Sequence, residues 1–173
     1  MIKVFGGISG AHINPAVSIV FFLKKELSFD DLLIYLSAQI FGAISASALT
    51  RRIFVSSSTL GESLPSGSVL ESFFFELGLT FILVFAIFLC IERKKLTQHL
   101  PSIIGGIVAL EAFFAGPICG ASMNPARSIG PALINHNTQH LWLYIIAPTL
   151  GAILALLVRH NIAKETFIFY RKQ

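Results

Sequence analysis

Apolar and polar residues along the 173-residue chain fall into long apolar windows divided by short polar stretches. No Asp, Glu, Lys or Arg lies between Asp31 and Arg51, between Lys95 and Glu111, or between Arg127 and Arg159. A helix needs about 20 mainly apolar residues to cross a bilayer core. Four segments meet that need and predict full spans: Leu32 to Thr50, Val69 to Ile91, Pro101 to Cys119, and Leu141 to Val158. Small residues recur within them at helical spacing, as Ala38, Gly42, Ala46 and Thr50 in the first and Ala147, Gly151 and Ala155 in the last. Such stripes let helix backbones approach closely in lipid, although small residues are also common in membrane helices generally.

Charge changes the picture in two ways. Charged residues make up 13% of the chain, about half the roughly 25% of a soluble domain, which argues against a soluble fold. Their placement also sets an orientation. Lys24 and Lys25 precede the first span, Arg93, Lys94 and Lys95 lie between the second and third, and Arg159, Lys164, Arg171 and Lys172 follow the fourth. With four spans these groups share one side, which the positive-inside rule makes cytoplasmic; Arg51 and Arg52 run against it at the outer end of the first span. The Ser-, Gly- and Pro-rich loop Ile53 to Ser68 is then external and forms no domain. The net charge of +4 sits at span edges, so it points to a lipid bilayer and not to nucleic acid. Cys90 and Cys119 lie in apolar stretches with no metal-ligand or disulfide spacing, and the histidines form no ligand set. No catalytic constellation and no cofactor motif is present, so no enzyme activity and no cofactor is expected. The start of the chain has too short an apolar run for a signal peptide.

The feature that points to function is an internal repeat. Ile8 to Ile19 (ISGAHINPAVSI) aligns without gaps on Ile118 to Ile129 (ICGASMNPARSI), with eight of twelve positions identical. Three predicted spans separate the copies, so the second enters the membrane from the opposite face and the repeat is inverted. Each copy has a Gly-containing turn, an Asn-Pro pair, and an apolar run too short to span, Ala16 to Leu23 and Ala126 to Ile134. Asn caps a helix and Pro suits its first position, so Asn14-Pro15-Ala16 and Asn124-Pro125-Ala126 predict two half-helices. About ten residues cover roughly 15 Å, half of a bilayer core, so the two helices meet near the midplane.

Irregular backbone survives at that depth only when buried in protein or lining a wet cavity, so Gly10, Ala11, His12, Gly120 and Ser122 are expected to line a pore. Each Asn oxygen is expected to cap its own helix and leave its NH2 donors free for a passing molecule. Two convergent N-termini oppose cations and protons, which leaves neutral hydrogen-bonding solutes as cargo. Arg127, three residues after Asn124 and matched by Val17, reads as a buried cation forming a selectivity gate. Structural bonding of that Arg to carbonyls is the plainer alternative. Glu76 lies mid-span, so it is protonated or hydrogen-bonded. Glu111 reads as a packing residue turned from the lumen, Glu71 as interfacial, and His12 as lining or filling the inner vestibule.

The paired Asn-Pro-Ala copies with Arg after the second resemble the aquaporin, or major intrinsic protein, family. Tyr35 to Gln39 with Gly42 and Ala43, Glu76 with Thr80, and Trp142 with Pro148 extend the likeness along nearly the whole chain. The resemblance implies an all-α membrane fold, a right-handed helical bundle with two re-entrant half-helices, here beside four full spans. It implies one channel domain over residues 1–173, with an incomplete first half-repeat 1–68 and a second 69–173, in a multi-pass protein of the cell membrane. By the same likeness Asn14 and Asn124 contact the permeating molecule, Arg127 forms the outer filter with Ala112 and Ala121, and Glu76 anchors re-entrant backbone. Alanine at both filter positions implies a wide aperture of the nodulin-like or related bacterial branch, passing glycerol or metalloid hydroxides such as boric acid. Ile145 also fits that branch, whereas Ser128 and Tyr144 fit water channels. A homotetramer is implied. Family members carry two spans ahead of the first motif where this chain has Met1 to Phe5, so a fragment or truncated product is expected. Two rivals remain at this stage: a non-conducting partial subunit, and a secondary transporter in which Glu76 or Glu111 couples protons.

Overall fold

A computed structural model of the chain describes the backbone of residues 1–54 and 59–171, with side chains up to Ile162. Among the described residues the ordered elements are all helices: α1 Ile2–Ser9, α2 Pro15–Leu23, α3 Phe29–Ile53, α4 Val69–Glu92, α5 Lys94–Thr97, α6 Leu100–Cys119, α7 Pro125–Ile134 and α8 Leu141–Arg171. Four of them, α3, α4, α6 and α8 as far as Ile162, are long and apolar enough to cross a membrane. They are the four predicted spans, each somewhat longer than expected. The chain is therefore a multi-pass membrane protein. Lys164, Arg171 and Lys172 lie outside the described side chains.

Local sequence sets the helix ends. Asn14 and Asn124, both in extended conformation, accept from the N–H of Ala16 and Ala126 at 3.0 Å each, with proline at the first helical position. Ser28 caps α3 by accepting from the Asp31 N–H, and Asp30 and Asp31 follow in the first turn, where carboxylates suit the helix dipole. Arg51, which runs against the charge rule, has a local reason for its place. Its guanidinium donates to the carbonyl of Ile134, at the C-terminus of α7, at 2.6 Å.

The repeat is legible in the packing. α2 packs on α3 of its own half and on α8 of the other, while α7 packs on α8 of its own half and on α3 of the other. The glycines mark the closest approaches. A Cβ on Gly130 would stand 2.5 Å from the Ala43 carbonyl oxygen, and one on Gly151 would stand 2.2 Å from that of Leu77. The Ala147, Gly151 and Ala155 stripe is thus buried, against α4. The matching stripe in α3 is not: Ala38, Gly42 and Ala46 are exposed, and a Cβ on Gly42 would meet nothing within 4 Å. At the end where α4 finishes and α8 passes, Glu92 pairs with Arg159, and the Lys24 ammonium sits 5.3 Å from the Phe88 ring centroid.

Two elements were not expected. α5 is a single turn in the loop after α4, and α1 occupies the residues before the first motif. A 110-residue shift places α1 on the last eight residues of α6, so the repeat begins earlier than its identical positions show. The Gly6-Gly7 pair hides that helix, because glycine is a poor helix former.

Candidate channel centre

Each half builds its turn in the same way. α1 and α6 end in a left-handed glycine, Gly10 at φ 67° and Gly120 at φ 82°, whose N–H returns to Gly6 and Gly116 respectively. Positive φ recurs at Ala11 and Ile13 in the first turn and at Ala121 and Met123 in the second. Such conformations cost of order 1 kcal/mol or more and persist only where surroundings impose them; Ile13 at φ 47° is the most unusual, being β-branched.

The two turns meet tip to tip. Asn14 Nδ2 donates to the Met123 carbonyl and Asn124 Nδ2 to the Ile13 carbonyl, both at 2.8 Å. This corrects one expectation, since one N–H of each amide is already committed across the pseudo-twofold and only the other remains for a solute. The N-termini of α2 and α7 thereby converge, and their partial positive charges add. Asn14 is buried, whereas Asn124 is partly exposed.

Two open cavities reach this junction. One, of about 600 Å³, is lined by Gly10, Ala11, His12, Asn14 and Asn124, with Leu83 and Ile87 of α4 and Val108 of α6 completing part of its apolar wall. The other, of about 720 Å³, lies between the first turn and the Ala38–Gly42–Ala46 face of α3, and Asn124, Ala126 and Arg127 reach it. His12 lines both, its Nδ1 3.2 Å from Ser18 Oγ and its ring against Phe21 and Tyr35.

Arg127 is exposed and reaches the second cavity, not buried as expected. Its guanidinium donates to the Gly61 carbonyl at 2.9 Å and to Ser63 Oγ. The alanines expected beside it lie elsewhere than that cavity. Ala112 is exposed on α6 one turn beyond Val108, and Ala121 is buried with Cys119 and Met123. Gly120 packs on the outer loop, where a Cβ added to it would stand 3.0 Å from Ser63 Cα. Ser122 is buried, with its Oγ 2.5 Å from Ser128 Oγ. The second turn is thus held in protein, while the first faces the cavities.

Glu76 supplies much of that hold. Fully buried in α4, it accepts from the N–H of Ser122 and of Met123, one to each oxygen, at 2.7 Å. Glu111 is also buried, on the α6 face shared with Ala115 and Cys119, and neither of its oxygens has a hydrogen-bond partner among the described residues. Glu71 is exposed near the start of α4. Residues 59–68 were missed as part of the site: Gly61 and Ser63 hold Arg127, and Ser63 also accepts from Ser128. Their Gly and Ser content signalled only a loop.

With this geometry in place, comparison with known proteins decides the family. A sequence profile described as "Major intrinsic protein" matches residues 1–159. The chain belongs to the major intrinsic protein family. It is 41% identical over 162 residues to Aquaporin NIP3-1 of Arabidopsis thaliana, covering 88% of this chain and 50% of that protein. To Nodulin-26 of Glycine max it is 35% identical over 168 residues, 96% of this chain and 62% of the relative. Among solved structures it matches the aquaglyceroporin from Plasmodium falciparum with a TM-score of 0.79 and 25% identity, over 90% of this chain and 74% of that one. The all-helical aquaporin fold expected from the motifs is therefore the fold of this chain. The chain spans about half to three-fifths of the length of these two curated relatives.

Proposed function

We propose that the chain forms a channel subunit that passes water and small neutral solutes, such as glycerol or boric acid, down their gradients. It works as a passive conduit without chemistry of its own. The observation that carries the reading is the junction of two inverted helix N-termini, each Asn capping its own helix and bonding to the opposite turn, beside cavities that reach Asn124. Positive helix ends repel cations and protons, and the remaining amide N–H offers a neutral solute one directed hydrogen bond. Family membership supports the same reading, as does the solved neighbour named an aquaglyceroporin.

In this reading the half-repeats 1–68 and 69–173 form one channel domain, and copies assemble as a homotetramer. Arg127 is the outer selectivity gate, and Glu76 fixes the second turn. The test is stopped-flow light scattering on liposomes holding the full chain, comparing osmotic water flow with glycerol and boric acid uptake. Flow above empty vesicles, with Arg127→Ala raising uptake of the larger solutes, is expected. Flow equal to empty vesicles, with the protein inserted and helical, overturns the reading.

A further inference from the structure

The first peptide of each re-entrant turn is fixed at both ends, and a tyrosine from a different helix supplies one of the fixings. In the first half Tyr35 of α3 donates its phenol to the Ser9 carbonyl at 2.5 Å, while the N–H across the same peptide, that of Gly10, donates to Gly6 at 3.0 Å. In the second half Tyr144 of α8 donates to the Cys119 carbonyl at 2.8 Å, while the Gly120 N–H donates to Gly116 at 2.9 Å. Ser9 and Cys119, like Gly6 and Gly116, are related by the 110-residue shift of the repeat.

The tyrosines are not so related. Shifted by 110 residues, Tyr35 falls on Ile145 and Tyr144 on Ile34. The donors stand one residue out of register and still reach equivalent carbonyls, so the bond recurs where the sequence position does not. A physical reason exists for it. The last carbonyls of a helix have no partner inside the helix, and at membrane depth an unpaired one is costly. A peptide unit is planar, so holding its C=O and its N–H fixes the whole plane. The left-handed residues that follow, Gly10 and Ala11 or Gly120 and Ala121, then leave from a fixed direction.

We propose that Tyr35 and Tyr144 are paired positioning residues that set the starting plane of each re-entrant turn, and through it the path of the backbone to Asn14 and Asn124. The consequence for permeation rests on the channel reading above; the positioning role does not.

The test uses Tyr35→Phe and Tyr144→Phe, which keep the ring and remove only the hydroxyl. Hydrogen exchange followed by mass spectrometry is read on peptides covering residues 6–13 and 116–123 of the full chain in detergent. Tyr35→Phe is expected to speed exchange about fivefold in the first peptide alone, and Tyr144→Phe by about the same factor in the second alone, the effect of losing one hydrogen bond from local opening. In liposomes that conduct, each variant is expected to change the water-to-glycerol flow ratio at least about twofold. Unchanged exchange in the variant's own turn, or equal acceleration in both turns, overturns the proposal. Absent flow in the unmodified chain overturns the channel reading and leaves the exchange result to decide the positioning role by itself.

Discussion

The two re-entrant turns share a motif and a backbone conformation, yet their surroundings differ sharply. In the second turn Ala121, Ser122 and Met123 are all buried, and Glu76 takes up the N–H groups of Ser122 and Met123. In the first turn Ala11 is buried, but His12 is partly exposed and Ile13 half-exposed, and the N–H groups of His12 and Ile13 make no hydrogen bond among the described residues. The first turn keeps the bonds that both halves share, Tyr35 to Ser9 like Tyr144 to Cys119 and His12 to Ser18 like Ser122 to Ser128, with Gln39 donating to Ser18 Oγ, but no carboxylate accepts its backbone N–H groups. One motif therefore specifies the path of the chain, while the helix packed behind it decides how firmly that path is kept. A buried carboxylate that accepts two backbone N–H groups is a much stiffer brace than a hydroxyl network at a cavity wall.

The comparison can be broken most easily at Glu76. Glu76→Ala leaves two buried N–H groups unpaired, each costing about 1–3 kcal/mol, so a loss of about 3 kcal/mol or more is expected in detergent unfolding followed by circular dichroism. A loss below about 1 kcal/mol would mean that the second turn is held by the outer loop and not by α4. The small-residue stripes give the next contrast. Gly151→Ala drives a Cβ towards the Leu77 carbonyl and is expected to cost about 2 kcal/mol, whereas Gly42→Ala enters open space and should stay within about 0.5 kcal/mol. Equal costs in the same unfolding assay would show the two faces to be alike.

The tip-to-tip bonds sharpen the comparison from the other direction, because here the halves match. Asn14→Ala and Asn124→Ala each remove one cap and one bond across the junction, about 2 kcal/mol together, and their unfolding midpoints should fall by similar amounts. A much larger effect at one Asn would show that the pair does not act as a symmetric unit. Smallest is Ser18→Ala, expected to cost about 1 kcal/mol and, in hydrogen exchange, to loosen the first turn but not the second.

Much of this was legible beforehand. Long apolar windows located the four spans, and the gap-free repeat with Asn-Pro at its centre located both half-helices and their inversion. Those signals are strong because each rests on a requirement the bilayer imposes: a run of apolar residues long enough to cross, or a cap for a helix that starts inside. What stayed hidden depends on contacts between distant residues. Tyr35 and Tyr144 look like ordinary span aromatics until the carbonyls they reach are known. Gly61 and Ser63 look like loop filler until Arg127 bonds to them. The commitment of each Asn amide to the opposite turn could not be read either, because the motif fixes its own cap but not the register in which two tips meet. Arg51 offends the charge rule only until the end of α7 is placed beside it.

The central claim is that two inverted half-helices enter from opposite faces and meet at their Asn caps. Its most direct test is sided labelling of single cysteines in the exposed segments just beyond each half-helix, Glu26→Cys after α2 and Thr138→Cys after α7, with Cys90 and Cys119 replaced by alanine. Applied to sealed vesicles of uniform orientation, a membrane-impermeant maleimide should reach Glu26→Cys from the side that labels Lys95→Cys, and Thr138→Cys only from the other. Labelling of Glu26→Cys and Thr138→Cys from the same side would contradict the account.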